Sequence, residues 1–300
     1  MPAVETIDVD RAEAVAGILK SLKPNRDSYL DSRFYPPPED PVEDQLAFFV
    51  TMVAIDHRTS LWEPFEGQIA GEFFHGADAL YRLGRLAYDR GFFKAENLAG
   101  LTPDKAEALL SLGGKKIWDF NVRVLLMRDV GRKAAARGGF EKMVSRESIS
   151  GLRRSLEGLR AYEDPVGKKA LLLAKFLDGR RLADFKDLEE ADVPVDNHLS
   201  RVAYRLGIVD ISFDFLESGA EVTREEDVRL REVVKTAWRI VAKFADVHPF
   251  ALDDYLWNFG RRVCTRDAPR CQSCPFKDMC KAYSLSRFPP EHLHLLTWYY

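Results

Sequence analysis

The sequence predicts an all-α protein. Apolar residues recur at helical spacing along most of the chain, and no stretch alternates polar and apolar residues over a useful strand length. Glycines and prolines cut the pattern into helix-sized pieces. The N-terminal segment begins helically and turns loop-like at Tyr35-Pro36-Pro37-Pro38-Glu39-Asp40-Pro41, where the prolines forbid a helix. From Val42 to about Glu63 the residues are apolar on nearly every side, the mark of a buried helix. Thr102 and Pro103 form a helix start, with threonine as cap and proline in the first turn. Ile117–Arg128 reads as a further helix and Lys133–Gly139 as a basic connection. Residues 146–177 read as helix, tight break at Asp164-Pro165-Val166-Gly167, and helix. Asn197–Leu206, Arg229–Phe244 and Pro249–Phe259 complete the set.

The chain has 300 residues, 46% hydrophobic and 30% charged, which excludes a disordered or collagen-like protein. No apolar run reaches the ~20 residues that a bilayer-spanning helix needs. The acidic start MPAVETIDVDRAEA lacks the features of a secretory signal, so a cytoplasmic, membrane-free protein is expected. Net charge is −3, but it is unevenly spread. Residues 1–50 carry −5, whereas residues 151–181 and 256–285 each carry +4. Two basic islands thus sit in an acidic chain. No Gly-rich nucleotide loop, Gly-x-Ser-x-Gly elbow or helical His-x-x-x-His pair occurs.

The four cysteines, Cys264, Cys271, Cys274 and Cys280, lie within seventeen residues at C-x6-C-x2-C-x5-C spacing. A disulfide framework would spread them along the chain, so clustering points to one metal site. Four thiolates suit zinc or a [4Fe-4S] cluster. Only Cys271 and Cys274 form a knuckle, which favours iron–sulfur over a zinc ribbon. This spacing resembles the C-terminal cluster loop of the endonuclease III branch of the helix-hairpin-helix (HhH-GPD) DNA glycosylases.

Two upstream motifs carry the same resemblance, in the right order. Val166-Gly167-Lys168-Lys169 resembles the family hairpin Val-Gly-x-Lys, and Val195-Asp196-Asn197-His198-Leu199-Ser200-Arg201-Val202 resembles Val-Asp-x-His-x-x-Arg-Val. The resemblance implies that Lys169 is the catalytic amine, with Lys168 the alternative, and that Asp196 is the catalytic carboxylate. The chemistry suits both. A carboxylate stabilises an oxocarbenium-like sugar, and an amine that burial or a neighbouring cation has kept neutral can attack C1′. Asp196 equally suits a helix N-cap.

The family resemblance further implies a two-lobed fold, with a barrel lobe over 42–180 and a cluster lobe of 1–41 plus 181–300. Gly167 and Lys168 would bind the DNA backbone, His57 would fill the gap left by a flipped base, and Arg58 would contact phosphate or the orphan base. The four cysteines would hold the [4Fe-4S] cluster. The partner would be double-stranded DNA with a damaged base and the protein a monomer. Asp164-Pro165 replaces the usual first glycine of the hairpin, Ala170 replaces a hydroxyl residue, and the Lys169–Asp196 gap is long. The longer gap and the Asp-Pro hairpin resemble the archaeal 8-oxoguanine glycosylase branch, which does not carry the cluster. The expected activity is a DNA N-glycosylase with AP (β-elimination) lyase action, first on an oxidised purine such as 8-oxoguanine. A hydrolase of free modified nucleosides and a non-catalytic DNA-structure-binding module are the alternatives.

Overall fold

The computed structural model describes residues 6–295 and 297–300. In chain order the elements are β1 (Thr6–Ile7), α1 (Val9–Leu22), α2 (Val42–Ala54), β2 (Glu66–Ile69), β3 (Glu72–His75), α3 (Gly76–Tyr88), α4 (Ala95–Ala99), α5 (Pro103–Leu110), β4 (Ser111–Leu112), β5 (Lys115–Lys116), α6 (Phe120–Arg137), α7 (Phe140–Met143), α8 (Ile149–Ser155), α9 (Lys168–Gly179), α10 (Asn197–Leu206), β6 (Val209–Asp210), α11 (Phe213–Glu217), α12 (Arg224–Ala245), α13 (Pro249–Arg262) and α14 (Lys281–Ser284). Helix dominates, as the periodicity predicts. The chain divides into two compact units. A terminal unit joins Met1–Asp27 to Ala191–Thr297, and a middle unit comprises Ser28–Glu190 with Trp298–Tyr300.

The middle unit is built around α2, which is buried on all sides from Gln45 to Ala54 and packs against α3, α6, α7 and α9. Phe49 meets Phe48 at 5.3 Å and Phe176 of α9 at 5.5 Å between ring centroids, both close enough for favourable aromatic contact. The proline loop before α2 sides with this unit: Arg180 donates to Pro36 O and Tyr29 O, both at 3.0 Å. Residues 181–190 side with it too, because the Asp187 carboxylate caps α8 through Ile149 N (2.6 Å) and Ser150 N (3.0 Å).

Helix α2 stops at Ala54 rather than near Glu63, because side chains from other helices take the carbonyls that follow. The expected connection 133–139 is instead mostly helix, since α6 runs to Arg137 and ends on Gly138 in the left-handed conformation. Three short antiparallel pairs interrupt the helices: β1–β6, β2–β3 and β4–β5. Strands of two to four residues are too short to show alternation, so they escape the periodicity reading.

The terminal unit packs α1, α10, α12 and α13 around Leu19, Tyr204, Trp238, Leu256 and Phe276. Helix α12 opens with a capping box between Thr223 and Glu226. Trp238 donates its indole N–H to Leu199 O at 3.1 Å, tying α12 to α10. Among the described residues no helix is long and apolar enough to cross a membrane.

Candidate active site

Five successive carbonyls follow from the last residue of α2, and buried cations hold all five. Lys169 donates its Nζ to Ala54 O at 2.5 Å. Lys168 donates to Asp56 O at 3.0 Å, with the Asp56 carboxylate 4.0 Å away. Arg123, from α6, takes the other three: Ile55 O, His57 O (3.3 Å) and Arg58 O (2.6 Å). Its Nε also donates to Trp118 O at 2.9 Å. A helix end leaves its last carbonyls without intrahelical partners and carries partial negative charge, so cations belong there.

Lys169 and Arg123 have no exposed surface. Burial pushes the Lys169 amine well below the usual lysine range, and the charges of Lys168 and then Arg123 push it further; Asp56 and Asp164 oppose them. Burial pulls the Arg123 guanidinium down to about 9, which leaves it charged at neutral pH.

The hairpin before α9 differs from a bare phosphate cradle. Gly167 has φ +78°, which a side chain would strain, and the Arg153 guanidinium lies 3.2 Å from where its Cβ would be. Asp164 fills the role of an anion here: its carboxylate accepts Lys168 N at 3.0 Å and Val166 N at 3.2 Å. Gly167 and Lys168, expected to bind DNA backbone, are buried, and the Lys168 amide is held by the Asp164 carboxylate.

His57 also departs from expectation. Its side chain, expected to fill the gap of a flipped base, has no exposed surface. Both ring nitrogens are buried without a hydrogen-bond partner, and the nearest carboxylate, Asp119, is 4.0 Å from Nε2. Burial, then Arg123, holds the imidazole well below its usual pKa. Arg58 is half-buried beside it. Of the aromatic side chains nearby, Trp62 is 86% exposed and Phe73 59%, while Phe74 and Phe120 are buried. The aromatic C-terminus docks: Trp298 donates its indole N–H to Arg160 O at 3.0 Å, and Tyr299 and Tyr300 are buried.

In the terminal unit, Asp196 is the N-cap of α10. Its Oδ1 accepts His198 N (2.8 Å) and Leu199 N (3.0 Å), and Oδ2 pairs with His198 Nδ1 at 3.1 Å. Close packing on α13 fixes His198: a Cβ at Gly260 would lie 2.8 Å from the His198 Cβ. Both Lys169 and Asp196 are therefore held rigidly, each by its own unit.

Two arginines of α10, one helical turn apart, organise the cysteine loop. Arg201 donates to Cys264 O (3.1 Å) and Gly260 O (2.9 Å) and pairs with Glu291 at 2.8 Å. Arg205 donates to Thr265 O (2.7 Å), Arg266 O (2.6 Å), Phe288 O (3.0 Å) and Pro289 O (2.8 Å), and reaches Cys264 Sγ at 3.5 Å. All four cysteines carry free thiols, and Cys264 interacts electrostatically with each of the other three. Burial pushes the Cys274 thiol up to about 12. Among the described residues no group of three or more His, Cys, Asp or Glu is gathered to hold a single metal ion. The four cysteines thus share one short loop, with the Arg205 guanidinium 3.5 Å from Cys264 Sγ.

Sequence reasoning singled out Lys169, Asp196 and the cysteines but missed Arg123, Asp164 and Arg205. Arg201 was visible within the quoted motif, although nothing in the sequence told its role. Arg123 left no signal, because one arginine on a mixed helix reads as surface.

This architecture is the helix-hairpin-helix DNA glycosylase fold. Within it, residues 174–287 match the family described as AGOG, N-glycosylase/DNA lyase. That match takes in Asp196 and the cysteines and begins beyond Lys169. The structure of a trapped endonuclease III–DNA covalent intermediate superposes with a TM-score of 0.53 at 15% identity, covering 94% of this chain and 99% of that one. The 8-oxoguanosine complex of the 8-oxoguanine DNA glycosylase Pa-AGOG from Pyrobaculum aerophilum gives 0.51 at 15% identity, covering 90% and 94%. In sequence, DEMETER-like protein 2 of Arabidopsis thaliana is 31% identical over 134 residues, 44% of this chain and 10% of that protein. DEMETER-like protein 3 of the same plant is 28% identical over 110 residues, 34% and 10%. The chain thus spans about a tenth of the length of these curated relatives.

Proposed function

We propose that the protein is a DNA N-glycosylase with AP lyase action, using Lys169 as nucleophile and Asp196 as the carboxylate that steadies the sugar. The observation that carries this reading is the Lys169 amine: fully buried, beside two further cations, and held by a backbone carbonyl alone among the bonds described for it. A structural lysine is seldom buried without a carboxylate partner, whereas an amine that must attack carbon has to be neutral. In the reaction the C1′–N bond breaks and the base leaves with its electron pair, taking up a proton. The amine forms a C1′–N bond and gives up a proton, and ring opening leaves a Schiff base. Loss of the C2′ proton then expels the 3′ phosphate.

Asp196, fixed by two backbone amides and His198, supplies the opposing negative charge to the oxocarbenium-like sugar. The first substrate to test is an oxidised purine such as 8-oxoguanine, on the AGOG match, with oxidised pyrimidines next. Cys264, Cys271, Cys274 and Cys280 would hold a [4Fe-4S] cluster, which when bound supplies a rigid cross-link for the basic loop around it. His57 is buried, so the exposed ring of Trp62 is the better side chain to stack on an unpaired base.

The test is borohydride trapping on duplexes carrying 8-oxoguanine, thymine glycol, uracil or no lesion. A covalent adduct on one lesion, absent from Lys169→Gln, is the expected result. No adduct and no alkali-revealed cleavage on any duplex would overturn the reading, and would favour a nucleoside hydrolase or a non-cutting DNA binder.

A further inference from the structure

We infer that Arg123 is a positioning residue for Lys169, holding the loop on which the amine rests and supplying the buried positive charge that shuts out a second one beside it. The inference rests on the lyase reading above and adds a residue to it.

The geometry is specific. Arg123 spends all three guanidinium nitrogens on four carbonyls, of Trp118, Ile55, His57 and Arg58. Three of these lie in the same five-carbonyl run that seats Lys169 and Lys168. The guanidinium therefore fixes the backbone that positions the amine, one residue away from the Ala54 carbonyl. Planarity matters: a single ammonium cannot serve carbonyls in several directions with one fixed fork.

The second half of the argument is charge. Facing Lys169 are Lys168 on its own helix, Asp164 in the preceding turn, Asp56 after α2, and Arg123 on α6. His57 also lies close by, but its burial keeps the imidazole uncharged. Two fixed cations thus stand against two carboxylates, of which one caps α9 and the other already faces Lys168 and the Tyr81 hydroxyl. With burial added, the balance favours a neutral amine. Without Arg123, the carboxylates outnumber the remaining cation, and a charged amine becomes easier to keep.

A duplex with a preformed abasic site isolates amine attack from base excision. The rate of borohydride-trapped adduct is measured from pH 5 to 11 for the wild type, Arg123→Gln and Arg123→Lys. The wild-type rate should level off at a midpoint well below the ordinary lysine value of about 10.4. In Arg123→Gln the midpoint should move up by a unit or more, a tenfold or greater loss at the acidic end. Arg123→Lys keeps the charge and loses the fork, so its midpoint should stay while its plateau falls several-fold.

An unchanged midpoint in Arg123→Gln would overturn the inference and leave Arg123 a purely structural residue. If Arg123→Gln fails to fold, a wild-type midpoint near 10 overturns it without any variant. Absence of wild-type adduct at every pH would instead bring down the lyase reading itself.

Discussion

The lysine seat and the cysteine loop use the same device to opposite ends. In each, buried arginine forks hold a run of backbone carbonyls in place: Arg123 for residues 55–58, Arg201 and Arg205 for carbonyls between 260 and 289. At the lysine seat the carbonyls lead directly off a thirteen-residue helix, and donors from the protein itself satisfy them. At the cysteine loop the backbone has only short 3-10 turns over 271–273 and 277–279, and two arginines of one helix hold its carbonyls. One run of carbonyls is seated by two lysines and an arginine, the other by two arginines.

The largest effect expected from breaking this contrast is at Lys169. Lys169→Met should abolish the trapped adduct and at the same time raise the melting temperature, by roughly 2–4 °C for each kcal/mol recovered. The pH dependence has a definite sign. The amine lies well below its usual range in the folded protein, so between that lowered value and about 10.4 the unfolded chain binds the extra proton. Wild-type stability should therefore climb with pH through this window, and Lys169→Met should flatten the climb. A variant that melts lower than wild type would show the amine to be structural.

Next in size, Cys274→Ser should lose iron and its visible absorbance and lower the melting temperature, since metal affinity in such a loop is folding energy. Iron retained in Cys274→Ser would remove that thiol from the ligand set. Arg205→Lys should leave all four thiols present yet weaken iron retention against a chelator about 10- to 100-fold. A change of that size with intact ligands would show that the arginine scaffold, and not the thiols alone, defines the loop. The smallest effect is at Trp62→Ala, which should weaken binding to lesion-containing duplex by about 1–3 kcal/mol without altering single-turnover cleavage.

The two regions were unequally legible in the sequence. The cysteines and the Val-Asp-x-His-x-x-Arg-Val run could be read because their chemistry depends on fixed spacing. Helix α10 matched its predicted span, Asn197–Leu206, because both its cap and its apolar stripe are local. What surrounds Lys169 was opaque because it is tertiary. Arg123 is forty-six residues from Lys169 in sequence, and only folding reveals that they share one run of carbonyls. The burial of His57 was hidden for the same reason: a histidine after a helix end can face in or out, and its neighbours in sequence do not say which. The hairpin at Gly113–Gly114 did carry a signal, since paired glycines suit a tight two-residue turn, and both have positive φ.

The terminal unit is discontinuous along the chain, and this has a consequence for its biogenesis. Ala12, Val15, Ala16 and Leu19 of α1 belong to the same core as Val234, Trp238 and Val241 of α12. About two hundred residues separate the two helices, and all of the middle unit but Trp298–Tyr300 is made between them. At translation speeds of about 5–20 residues per second, α1 waits some 10–40 s with its apolar stripe uncovered. The middle unit can fold during that delay, whereas the terminal unit cannot close until α12 has emerged. A nascent chain stalled at residue 200 should therefore bind a hydrophobic-segment chaperone through residues 9–22, and one released after residue 262 should not.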